Sequence, residues 1–487
     1  MKNSKSRFTL GFALGCAAIT FSLAVCAQAQ TVTYLAKFGG PNGWAPWGSV
    51  VQATDGNFYG TTSNGGNGHG NVFRMTPGGK ITSIYNFCPQ TCTDGEIPQT
   101  APILGSDGNL YGVTVLGGDV TPTSYGQGVF YRLTLAGQLT VLHDFCSVDG
   151  CPDGATPTGI IQARDGNFYG TTNYGGTAGV GTIFKISPSG QFTMLYSFCS
   201  QANCVDGGYL AFPPIQGRDG NFYGVTNSGG TDGGGVFYEL TAAGVYQVLH
   251  NFCETGSCPD GSGPNAVVQD AKGNFFGTTH YGGSGSGTVF EFTSAGEYKV
   301  LHNLTLTGRM GQAQTALTLA SDGNLYGVFG GGDPSNGGDQ YFGGIFEISL
   351  DGTFTPQYMF CGCGVPLNGY NPDASLFQGT DGNFYGTTIN GGMSRENFGT
   401  VFKLSKGLSP LVETVPVAGK AGKQIIILGN GLTGTTGVTF NGVAASFTVE
   451  SDTYIKATVP KGATTGTVSV VTPAGTLNSN PQFVVTK

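Results

Sequence analysis

Apolar and aromatic positions fall in short runs along the chain, each closed by a glycine-rich turn. The turn signature Asp-Gly-Asn recurs at Asp55, Asp107, Asp165, Asp219, Asp322 and Asp381, and Lys272-Gly273-Asn274 is a degenerate seventh copy. An apolar run such as Val50-Val51 or Ile160-Ile161 precedes each turn, and an aromatic run such as Phe58-Tyr59-Gly60-Thr61-Thr62 or Phe168-Tyr169-Gly170-Thr171-Thr172 follows it, which predicts a β-hairpin. A third strand follows a Gly-Gly loop, as in Val72-Phe73-Arg74-Met75, Ile183-Phe184-Lys185-Ile186 and Val289-Phe290-Glu291-Phe292. After a further turn comes a fourth, as in Leu142-His143-Asp144-Phe145, Leu195-Tyr196-Ser197-Phe198 and Leu249-His250-Asn251-Phe252. Four strands at a spacing of about 50 to 59 residues predict a propeller blade, and seven such units predict a ring.

The two ends of the array sharpen this. Tyr34-Leu35-Ala36-Lys37-Phe38 is a fourth-type strand with no blade before it, whereas the last unit stops at Val401-Phe402-Lys403-Leu404 without a fourth strand. The first strand is therefore expected to complete the seventh blade and close the ring. In such a meander the connections alternate between two faces. One carries the tight Asp-Gly-Asn and third-to-fourth turns; the other carries cysteine loops, Gly-Gly loops and insertions such as Asp119 to Gln127 and Asp333 to Phe342. A ring-face ligand site is expected on the second, variable face.

The repeated Asp-Gly-Asn-Phe-Tyr-Gly-Thr-Thr block and the Gly-Thr-x-Phe-Lys-Ile type strand resemble the GloVer tandem repeats of exported bacterial proteins, over roughly Thr31 to Ser405. That resemblance implies export and tandem repetition, often with an interchangeable C-terminal anchor, and no particular chemistry. From Ser409 onward the signature stops, and Ile425-Ile426-Ile427-Leu428, Val438-Thr439-Phe440-Asn441-Gly442 and Thr467-Val468-Ser469-Val470-Val471 predict a β-sandwich. This segment looks like an IPT/TIG domain, which implies a spacer or interaction module. The expected fold is thus all-β: a seven-bladed β-propeller of four-stranded blades over 31–406, then an immunoglobulin-like IPT/TIG sandwich over 409–487.

Lys2, Lys5 and Arg7 before an apolar run, with Ala27-Gln28-Ala29 after it, read as a secretory signal peptide over 1–29; lipid attachment at Cys26 is disfavoured by bulky Val25 before it. No later stretch is apolar enough to span a bilayer, so a secreted, periplasmic or surface-associated protein is expected. Loss of those three basic residues leaves 18 Lys+Arg against 29 Asp+Glu, a net charge of about −11. That balance argues against a nucleic-acid partner. Glycine at 86 of 487 residues fits many tight turns.

Ten cysteines beyond the signal fall in five local pairs: Cys88 with Cys92, Cys146 with Cys151, Cys199 with Cys204, Cys253 with Cys258, and Cys361 with Cys363. Even pairing in an exported chain points to disulfides, the last being doubtful because its two-residue step strains the bond geometry. Zinc is the weaker reading, since no pair has a second pair of soft ligands near it in sequence. Asp94, Asp153, Asp206 and Asp260 follow four of the cysteine loops; a circle of carboxylates suits calcium, but Asp before Gly builds turns more simply.

Gln52, Gln162, Gln216, Gln269 and Gln378 stand three residues before the hairpin turns, on the expected innermost strand, either as candidate channel-lining ligand contacts or, the simpler reading, bonded to neighbouring strand ends or water; Leu104 and Leu319 replace them in two blades. His143, His250 and His302 share a position with tyrosines and read as blade-packing aromatics. Trp44 and Trp47, the only tryptophans, lie in the first variable-face loop, either stacking on a sugar or, at least as commonly, buried against the neighbouring blade. No nucleophile-elbow, P-loop or dinucleotide motif appears, and no cofactor is implied. The leading expectation is a non-catalytic binding or adhesion scaffold for a polysaccharide or a cell-surface protein. The alternative is a carbohydrate-active enzyme, a glycoside hydrolase or lyase, with paired carboxylates at the axis.

Overall fold

The computed structural model describes residues 31–119, 126–304, 315–330, 341–361, 369–392 and 398–486. The signal segment, most of both predicted insertions, and Cys363 lie outside them. Seven four-stranded antiparallel sheets, numbered here as blades 1 to 7 in chain order, begin at Val50, Ile103, Ala155, Ile215, Ser262, Thr318 and Phe377. Blade 7 is completed by Thr31–Lys37, which pairs with Thr400–Ser405 from Thr31 opposite Ser405 to Lys37 opposite Thr400. Neighbouring blades touch along their inner strands, and the first strand of blade 1 meets the second strand of blade 7, so the sheets close into a β-propeller. Among the described residues no helix is long and apolar enough to cross a membrane.

Each letter of the repeated block has a physical task. In blade 1, Asp55 accepts hydrogen bonds from Asn57 N at 3.1 Å, Asn57 Nδ2 at 2.7 Å and Tyr59 Oη at 2.8 Å, while Gly56 takes φ +76° in the turn. A Cβ on Gly60 would lie 2.5 Å from the Phe73 ring, so glycine there lets the third-strand aromatic pack on the backbone. Thr61 Oγ1 donates to Thr100 O of blade 2 at 2.9 Å, and Thr62 Oγ1 turns back to Asn64 O at 2.8 Å. The Phe-Tyr pair links neighbours: Tyr111 packs on Phe168, Tyr169 on Phe222, Tyr223 on Phe275, Tyr326 on Phe384 and Tyr385 on Phe58, with ring centroids 4.1 to 4.4 Å apart.

Five of the seven junctions carry both that aromatic pair and a glutamine staple. Gln162 Oε1 accepts from Ser106 N of the preceding blade at 2.8 Å, and its Nε2 donates to Gly166 O of its own turn at 3.1 Å. Gln216 and Gln269 repeat this on Arg164 N and Arg218 N, Gln378 bonds Ser321, and Gln52 accepts from Thr380 N across the ring closure. At the two remaining junctions leucine replaces both partners, as Leu104 with Leu110 and Leu319 with Leu325.

The C-terminal sandwich touches the ring at these same two places. Val415, Ile426 and Leu428 join one buried cluster with Leu104 and Leu110, and Asn480 Nδ2 donates to Leu319 O at 3.2 Å. Further contacts run from Thr453 Oγ1 to Thr54 O and from Asn430 Nδ2 to Thr380 Oγ1, so the domain sits over the hairpin-turn face. It consists of two four-stranded sheets and one short parallel pair around Val412, Ile425, Ile427, Val438, Phe440, Ile455 and Val468.

Candidate functional site: the axial funnel

With one face occupied by the sandwich, the ring opens on the other. Five blades enter the inner wall through a left-handed residue, Ala45, Ile97, Thr156, Tyr209 and Asn371 with φ of 54° to 56°, and Gly263 has the equivalent place in blade 5. A non-glycine residue held there costs about 1–2 kcal/mol, and the repeated cost aims the next residues at the axis. They enclose a funnel of about 400 Å³, lined by Trp47 to Ser49, Gln99 to Ala101, Thr156 to Ile160, Ala211 to Pro213, Thr315 and Asp373 to Ser375, among others. Backbone, hydroxyls and amides supply its polar groups. Asp373 is the single ionisable residue among the described lining, and burial pushes its carboxyl up to about 6.

On the sandwich side, Glu413–Val417 face the first strands of blades 1 to 3. A smaller chamber of about 240 Å³ remains there between Gln52, Leu104, Gln162 and Glu413, among others. Glu413 is half-buried as a residue, but its Oε2 is shut from solvent with no hydrogen-bond partner, and desolvation pushes the carboxyl up to about 7. Neither Asp373 nor Glu413 stood out in the sequence. Glu413, an acid inside Leu411-Val412-Glu413-Thr414-Val415, broke the apolar pattern and offered a signal; Asp373 offered none.

The residues singled out from sequence are distributed as follows. Trp47 lines the funnel and is 41% exposed. Trp44 does not join it: its backbone pairs with Asn64 and its ring lies 6.2 Å from Phe398. The amides of Gln52, Gln162, Gln216, Gln269 and Gln378 do not face a ligand as free groups; they bond the preceding blade's turn, because their strand ends at that turn on the sandwich side.

Asp94, Asp153, Asp206 and Asp260 do not converge on a cation. Each caps its own cysteine loop, accepting from Cys88 N, Cys146 N, Ser200 N and Cys253 N respectively. His143, His250 and His302 stack on Phe192, Tyr298 and Phe354 of the next blade, and burial pushes His250 and His302 down. Four disulfides form: Cys88–Cys92, Cys146–Cys151, Cys199–Cys204 and Cys253–Cys258. Cys361 ends a described strand, whereas its expected partner Cys363 lies outside the described residues. Four disulfides are chemistry suited to an extracytoplasmic, oxidising compartment.

A ring of sheets with one open axial funnel and an immunoglobulin-like sandwich over the other face defines a β-propeller with an appended domain. Residues 17–212 and 201–339 match the Gloeobacter/Verrucomicrobia repeat, and residues 410–485 match the IPT/TIG domain. The chain belongs to the Gloeobacter/Verrucomicrobia repeat family. Comparison with curated proteins gives no match. Among solved structures, the extracellular domain of the putative hybrid two component system BT4673 from B. thetaiotaomicron is similar at 11% identity and TM-score 0.50, over 93% of this chain and 58% of that one. PorZ, a bacterial surface component of the type-IX secretion system of Porphyromonas gingivalis, is similar at 14% identity and TM-score 0.46, over 92% of this chain and 60% of that one. The chain therefore spans under two thirds of the length of either.

Proposed function

We propose that this protein is a non-catalytic binding scaffold whose axial funnel takes the end of a polysaccharide chain on the variable face. The observation that carries this is the funnel itself, with Trp47 exposed at its wall. Its volume lies in the ~300–1,000 Å³ range of small-molecule sites. Hydroxyl and amide groups of Ser49, Gln99, Thr156, Thr158 and Asn173 suit sugar hydroxyls, and an indole face suits a sugar ring. Glycoside cleavage by the usual route needs two carboxyl groups about 5 to 10 Å apart, and the described lining supplies one. The sandwich docks on the opposite, hairpin-turn face, away from the funnel mouth.

The test is a glycan array followed by calorimetry on the exported chain, with reducing-sugar release measured in parallel. Trp47→Ala should weaken binding at least tenfold with unchanged melting, whereas Trp44→Ala should not. Binding untouched by Trp47→Ala would overturn the funnel assignment, and release of reducing ends would overturn the non-catalytic reading.

A further inference from the structure

Three departures from the repeat meet where two loops of the variable face cross. The cysteines of blade 1 are four residues apart, whereas those of blades 2, 3 and 4 are five apart. The structural repeat is fixed by a backbone hydrogen bond that ties each cysteine loop to the Gly-Gly loop beside it: Ile97 N to His69 O, Thr156 N to Gln127 O, Tyr209 N to Val180 O and Gly263 N to Gly234 O. His69 is thus equivalent to Gln127, Val180 and Gly234. Glu96, one residue before Ile97, is equivalent to Ala155, Gly208 and Ser262. Only beside Cys88 and Cys92 do an imidazole and a carboxylate stand at these two places.

The donor atoms converge. One ligand atom from each of His69, Cys88, Cys92 and Glu96 lies within 4.8 Å of the others. His69 Nδ1 is 2.6 Å from Glu96 Oε2, and Cys92 Sγ is 3.8 Å from the same oxygen. Tetrahedral zinc with sulfur at 2.3 Å and nitrogen or oxygen near 2.0 Å holds its ligand atoms roughly 3.3 to 3.8 Å apart; opening the disulfide lets the two sulfurs separate to that spacing, and His69 Nδ1 and Glu96 Oε2 need only a small movement from 2.6 Å. Asp94 is already engaged as the loop cap, accepting from Cys88 N and Tyr85 Oη, as its counterparts are in blades 2 to 4. Glu96 is an addition to that design. Its backbone is pinned by paired hydrogen bonds with Leu116, so the loop presents its ligands from fixed positions.

We propose that the dithiol form of this loop, alone among the four described disulfide loops, binds one zinc-class divalent cation through Cys88 Sγ, Cys92 Sγ, His69 Nδ1 and Glu96 Oε2. The chain is synthesised with thiols, and the closed disulfide returns to them by exchange with two equivalents of a low-molecular-weight thiol, which leave as one disulfide. Binding the cation then releases one proton from each cysteine, the proton His69 holds on Nδ1 moves to Nε2, and the imidazole and carboxylate replace their mutual hydrogen bond by metal bonds. Zinc and disulfide are therefore alternative closures of the same loop. The loop runs three residues on into Gln99 to Ala101 of the funnel wall.

The test uses the full mature chain reduced with a phosphine, with zinc sulfate as the probe, followed by thiol alkylation and peptide mapping. Zinc should protect Cys88 and Cys92 at least tenfold, while Cys146, Cys151, Cys199, Cys204, Cys253 and Cys258 alkylate at the zinc-free rate. The variants His69→Ala and Glu96→Ala should each weaken zinc binding tenfold or more. Cobalt substitution should give tetrahedral d–d bands that vanish in Cys88→Ser/Cys92→Ser, a variant whose fold is checked by circular dichroism and melting. Equal protection of all four loops, or protection unchanged in His69→Ala/Glu96→Ala, would overturn the proposal.

Discussion

Glu413 sits where the sandwich meets the axis, and replacing it by glutamine isolates the cost of its charge. The chamber around it contains no other ionisable residue among its lining, and Oε2 has no partner to offset desolvation. A carboxyl held near 7 instead of its ordinary 4.5 disfavours the charged form by about 3 kcal/mol; partial solvent contact of the residue brings a working figure to about 2. The docked state binds a proton between those two pH values and the unfolded state does not. Stability from this group is therefore full below about 4.5, falls as pH rises toward 7, and is level above. The variant Glu413→Gln should match the parent near pH 4.5 and exceed it by about 2 kcal/mol at pH 8. Calorimetric melts from pH 4.5 to 8 read the difference directly, with Trp44 and Trp47 fluorescence reporting the propeller, since the sandwich has no tryptophan. An unchanged pH slope in Glu413→Gln, or a loss of stability at pH 8, would refute the reasoning.

Three other outcomes are expected. Deleting Thr31–Lys37 leaves Thr400–Ser405 unpaired on one side, so the whole propeller should melt earlier and aggregate; a melt equal to the parent's with a monomeric profile by light scattering would count against the clasp. Gln216→Ala strands the backbone N–H of Arg164 at a blade junction and should cost about 1–3 kcal/mol by denaturant unfolding, while the exposed Gln138→Ala should cost almost nothing. Removing Cys146 and Cys151 together should cost about 2 kcal/mol, the chain-entropy value for so short a loop, with the blade still folded by circular dichroism.

The sequence was enough to establish the strand pattern, the turns, the cysteine pairing of four loops and the clasp. These rest on spacing and on residues whose partners are close by or recur with the repeat: Asp55 binds Asn57 and Tyr59 within four residues, and Thr31 to Lys37 has only one open strand to complete. The fate of long-range polar groups was not legible there. Gln162 looks from its position like a channel amide, yet its partner is Ser106 N, 56 residues away on the preceding blade. Trp44 and Trp47 are three residues apart, but the intervening Ala45 at φ 55° sends only Trp47 to the funnel. His69 and Glu96 meet because two loops cross on one face, and Glu413 is desolvated because a separately folded domain lands on the ring. Local hydrogen bonding and periodicity are encoded in neighbouring residues. Burial, charge cost and convergence of side chains depend on which distant surfaces come together, and the tertiary structure alone decides that.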